Sequence, residues 1–193
     1  MRFHIHRADG KVGSYSQPDP RRAQVLARRF DPERMYRSGP ISIGEGIPLN
    51  LINPDEVCWI DVESTLPTPR FMLPDVERVV RLPGREQYEA ILARQWPLWR
   101  KQAQQPRELG GMLEALFELS MRGGLTLYLH VHARITNFNI AQLLAPGPAL
   151  TAEWPGQGTT YINPSAIIRA RLYHSVNAPE YPEGYWCAQS EDI

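Results

Sequence analysis

Four of the five histidines of this chain stand in two His-x-His pairs, His4/His6 and His130/His132. On a β-strand, residues two apart point to the same face, so each pair presents two imidazoles side by side. If the two strands meet, four imidazoles converge. That donor set suits zinc or another borderline divalent metal, with Asp61, Glu63 or His174 as further ligands. Asp61-x-Glu63 repeats the geometry with carboxylates, as a cation site or as partners for arginines. The bland alternative is that both pairs lie on the polar face of an amphipathic strand and meet only solvent and neighbouring side chains.

Other chemistry has no motif to stand on. Gly-x-Ser-x-Gly is absent, Gly44-Glu45-Gly46 lacks the rest of a dinucleotide fingerprint, and no Gly-rich loop ends in Lys-Ser/Thr. Cys58 and Cys187 have no metal-type spacing and read as reduced, buried hydrophobes rather than a disulfide.

The 193 residues carry no net charge, which argues against a surface devoted to nucleic acid or anionic membrane. The charge is unevenly placed. Residues 1–40 hold Arg2, Arg7, Arg21, Arg22, Arg28, Arg29, Arg34 and Arg37, whereas 41–70 hold Glu45, Asp55, Glu56, Asp61 and Glu63. Adjacent blocks of opposite sign are expected to complement each other within the fold. The polar faces of the His-bearing strands, carrying His4 and His6 and Tyr128, His130, His132 and Arg134, with an Arg-rich helix bearing Arg21 and Arg28, form the expected contact surface. That surface suits a protein partner or self-association. Nucleic acid is the second choice, through base stacking and phosphate contacts. The N-terminus has no apolar core of a leader and no run reaches membrane-spanning length, so the expectation is a soluble cytoplasmic protein without membrane contact.

The elements that must position these residues show an echo. Phe3-His4-Ile5-His6, Phe30, Gly39-Pro40 and Ile52-Asn53-Pro54 return as Leu129-His130-Val131-His132, Phe138, Gly147-Pro148 and Ile162-Asn163-Pro164. The expected architecture is α+β in one domain, 1–193. A mainly antiparallel sheet is built from two similar half-units, 1–66 and 125–176, linked and covered by two central helices in a connector, 84–122.

Residues 2–16 predict a hairpin turning at Asp9-Gly10, and Pro18-Asp19-Pro20 predicts a helix start. A meander is expected over 41–63, with Cys58, Ile60 and Val62 inward and Trp59, Asp61 and Glu63 outward. Residues 65–84 are rich in proline, with at most edge strands at 70–73 and 76–82. Tyr88, Ile91, Leu92 and Trp99 make one helical stripe, to be kinked at Pro97. Leu109, Met112, Leu113, Leu116 and Phe117 make another, stopped by Gly123-Gly124. Leu125 to Ile135 is the clearest strand, and a second meander runs through 149–153, 158–162 and 166–174. The tail from Asn177 is expected to pack irregularly through Tyr181, Tyr185 and Trp186. If the halves sit about a pseudo-twofold axis with their last strands adjacent, Asp61 and Glu63 face Arg171 and Arg169.

The leading expectation is a non-enzymatic binding or interaction module with no obligate cofactor. The alternative is a small metal-dependent hydrolase using the His-x-His pairs with Asp61 and Glu63.

Overall fold

The computed structural model describes residues 1–44, 49–102, 111–134 and 147–175. Phe3 and Ile5 alternate with His4 and His6 along β1 (Arg2–Arg7), and β2 (Val12–Ser16) returns beside it. The turn between them places Gly10 at φ 79, a left-handed conformation that a side chain disfavours. Helix α1 (Pro20–Ala27) starts where Asp19 caps it, accepting a hydrogen bond from Arg22 N at 2.8 Å, with Pro20 inside the first turn.

The region 41–63 is not one meander. β3 (Ile41–Ile43) and β4 (Asn50–Ile52) pair only with each other, while β5 (Val57–Glu63) joins a nine-stranded sheet. β6 (Val76–Arg81) is an interior strand rather than an edge, lying between β8 and β9, and 70–73 forms no strand. Helix α2 (Arg85–Gln102) runs on through Pro97 as one helix and buries Tyr88 and Trp99.

The second expected central helix is a strand. β7 (Met112–Met121) buries Leu113, Ala115, Phe117, Leu119 and Met121, every second residue, against the core. Leucines and methionines favour helices, but burial at a period of two along one side overrides that preference. Gly123 and Gly124, both at φ 77, are therefore a hairpin turn into β8 (Thr126–Arg134) and not a helix stop. The two described helices are α1 and α2, so the 84–122 connector is only partly helical.

β9 (Leu150–Trp154), β10 (Gly158–Ile162) and β11 (Ile167–His174) follow. The full order is β11-β7-β8-β6-β9-β10-β5-β1-β2, antiparallel except where β6 meets β9. The expected second meander fails at its last strand, because β11 pairs with β7 instead of β10. β5 and β11 are not neighbours, and Arg171 faces Glu118 of β7 at 3.6 Å rather than Asp61.

Only four residues join β10 to β11, although they stand far apart in the sheet order. The sheet must therefore curl so that its two regions approach. The concave side holds the largest apolar cluster, which runs from Cys58 and Trp59 through Leu150 and Ile162 to Phe117, Leu119, Leu127 and Leu129. Each fully buried side chain of this size contributes roughly 1.5–3 kcal/mol.

Two of the echoed segments form similar turns. Asn53 and Asn163 each accept a hydrogen bond from the backbone N two residues on, and each opens a short 3₁₀ turn leading into a strand. The turns are bridged. Asn163 Nδ2 donates to Pro54 O and Val57 O, and the Arg122 guanidinium donates to Asp55 O (2.6 Å) and Ser165 O (2.9 Å). On the convex side, α2 covers Leu116, Tyr128 and Tyr173 at one end. α1 and residues 30–43 cover Phe3, Ile5, Ile60 and Tyr161 at the other.

Candidate functional site

Strand register decides whether the histidines meet. His6 lies opposite Trp59, and His4 opposite Asp61, which in turn faces Thr160 and Ala152 across β10 and β9. Glu153, on the other side of β9 from Ala152, aligns with Val80, and Val80 aligns with His130. Since paired residues share a face, His4 and His6 belong to the concave side and His130 and His132 to the convex side. Four strands, β6, β9, β10 and β5, stand between the two pairs. The four imidazoles do not converge.

The first pair is consumed by the fold. Asp61 is 1% exposed, and its side chain gathers donors from four strands. His6 Nε2 donates to Oδ2 at 2.8 Å and Trp59 Nε1 donates to the same oxygen at 3.2 Å. Thr160 Oγ1 donates to Oδ1 at 2.7 Å, and the Arg81 guanidinium completes the set as an ion pair. Burial pushes the Asp61 carboxyl up, but the His6 hydrogen bond, the Arg81 charge and the Thr160 hydroxyl together hold it below its ordinary value. The ring of His6 stacks on Trp59 at 4.3 Å, and Arg81 lies over Trp154 at 4.7 Å.

A carboxylate with both oxygens so engaged is a structural counter-ion. His4 is spoken for as well, with Nδ1 2.9 Å from Ser14 Oγ and Nε2 3.2 Å from Glu63 Oε1. The expected outward face of β5 is in fact interior, since Trp59 and Asp61 are as buried as Cys58 and Ile60.

The second pair is arranged differently. His130 and His132 tilt toward each other with ring centroids 4.5 Å apart. β7 brings Glu114 opposite His132 in register, and His130 Nε2 donates to Glu114 Oε1 at 2.8 Å. One donor atom from each of Glu114, His130 and His132 lies within 4.8 Å of the others, and all three residues are half-buried. Burial and the neighbouring His132 push the His130 imidazole below its ordinary value, against the opposing pull of Glu114. A neutral imidazole is the form that binds metal.

The remaining expected contact residues are scattered. Tyr128 shares the convex face with His130, but its ring packs on Tyr88 of α2 at 4.8 Å. Arg134 is exposed and donates to Glu77 Oε1 at 2.8 Å. Arg21 and Arg28 are exposed on or just after α1, at the opposite end of the convex face. The surface expected to join the His-bearing strands to the Arg-rich helix is therefore not continuous. Cys58 is a buried free thiol raised by desolvation, while Cys187, Phe138 and the tail from Asn177 lie outside the described residues.

Sequence reasoning missed Glu114, Arg81 and Thr160. Glu114 was hidden by the helical reading of 109–122. The alternation from Leu113 to Met121 was the signal that would have placed it beside His132. Among the described residues no helix is long and apolar enough to cross a membrane. Neither family models, nor curated proteins, nor solved structures yield a match to this chain.

Proposed function

We propose that this protein is a non-enzymatic binding module whose convex face takes a divalent transition-metal ion, Zn²⁺ the best fit, on Glu114, His130 and His132. The observation that carries this reading is the convergence of one carboxylate oxygen and two imidazole nitrogens within 4.8 Å on two adjacent strands. Around Zn²⁺, with bonds of about 2.0–2.1 Å, tetrahedral ligand atoms stand about 3.4 Å apart. Small side-chain rotations close that gap, and the neutral His130 ring frees Nε2 for the ion when its single proton moves to Nδ1.

Three protein ligands leave a fourth position for water or for a side chain of a protein partner. The paired Asn-Pro turns support a local relation between 53–63 and 163–174, which we propose as the extent of the duplication.

Calorimetric titration with Zn²⁺ near neutral pH tests the assignment. One ion is expected to bind per chain, with Glu114→Gln, His130→Ala and His132→Ala each weakening it at least about tenfold. His4→Ala should leave it unchanged. Absence of saturable binding, or equal binding by the His132→Ala variant, would overturn the proposal.

A further inference from the structure

The layer that covers the α1 end of the convex face does not seat flush on the sheet. It is pinned at separate points. Phe30 packs on Phe3 and Tyr161, the Tyr36 hydroxyl donates to Tyr161 O at 2.6 Å, and Ala149 N donates to Pro32 O at 2.7 Å. Between these anchors and β3 lies a cleft of about 840 Å³, within the size range of small-molecule sites. Its floor is Phe3, Ile5 and Ile60, and its walls include Leu26, Met35 and Ile43.

The lining is not only apolar. Arg28, Arg29 and Arg34 border the same cleft, with Asp31 as the one acidic residue among its described lining. Asp31 stands 3.7 Å from Arg34, and Arg28 and Arg29 form no ion pair among the described residues. Of the acidic residues that follow, Asp61 is committed to Arg81 and His6, and Glu63 to His4. Two guanidiniums at the rim of an apolar cleft call for an occupant with one anionic group and a hydrocarbon body. Guanidinium recognises carboxylate through paired hydrogen bonds.

We infer that this cleft binds a free single-chain amphipathic anion, an alkyl carboxylate, with the chain against Leu26, Met35 and Ile43 and the carboxylate at Arg28 and Arg29. The inference is independent of the metal cluster, which lies at the other end of the convex face.

Decanoate is the probe, with decanol and acetate as controls for chain and head group alone. Titration calorimetry should show one saturable decanoate site and binding of either control at least about tenfold weaker. The double variant Arg28→Gln/Arg29→Gln should weaken decanoate by about tenfold or more and leave decanol unchanged. Ser42→Trp places a large ring from an exposed cleft-lining position and should block decanoate without moving the thermal midpoint. The inference is overturned if decanoate fails to saturate, if decanol binds equally well, or if the arginine variant binds decanoate as wild type does.

Discussion

Arg81 of β6 pairs with Asp61 of β5 although β9 and β10 lie between their strands. In a flat sheet three strand spacings separate them by about 14 Å, beyond direct side-chain contact. The pair exists because the sheet curls and both side chains point into the concave side. The guanidinium also reaches Thr160 Oγ1 at 3.3 Å, so one arginine ties β6 to β5 and β10 across the curve.

Removing that arginine should be costly. Arg81→Met leaves the Asp61 carboxylate buried without its charge partner, and a loss of about 3–5 kcal/mol is expected. Urea unfolding measures it. The double variant Asp61→Asn/Arg81→Met should recover part of the loss, because it removes the uncompensated charge as well.

Acid should reveal the same group. The folded-state value of Asp61 lies below its ordinary 3.8, so the unfolded chain takes up the proton first as pH falls. The stability Asp61 contributes is complete above 3.8 and is lost as pH drops through the depressed folded value. Denaturation midpoints of wild type should fall across that window, and those of Asp61→Asn should fall less. Parallel acid profiles would show that Asp61 is not held by the network.

Gly123 and Gly124 form a paired test of the β7–β8 turn. Both sit at φ 77, so replacing either with alanine incurs about 1–2 kcal/mol of left-handed backbone strain. A methyl on Gly124 meets open space, whereas one on Gly123 collides with the carbonyl of Ala8 in the β1–β2 turn. Gly123→Ala should therefore destabilise clearly more than Gly124→Ala in equilibrium unfolding. Equal losses would mean that the two hairpin turns do not touch.

Local signals reached the local structure. Asp9-Gly10 marked the first turn, Asp19-Pro20 the start of α1, and the alternation of Leu127, Leu129, Val131 and Ala133 the inward face of β8. What the sequence hid depends on closure. The β5 run Val57-Cys58-Trp59-Ile60-Asp61-Val62 is buried on both faces, and nothing local distinguishes that from one polar side until the strands around it are known. β7 combines helix-favouring residue types with strand periodicity, and only the periodicity matches its burial in the sheet. A helix over the same residues gives Glu114 no register position beside His132, and so no third donor for His130 and His132.

The metal assignment is tested most directly by the anomalous X-ray signal of zinc in crystals of the protein grown with the ion. The account predicts one peak about 2.0–2.1 Å from a ring nitrogen of His130 and of His132, with a Glu114 carboxylate oxygen at a similar distance. A peak at His4, His6 or Asp61 instead, or none at the convex cluster, would contradict it.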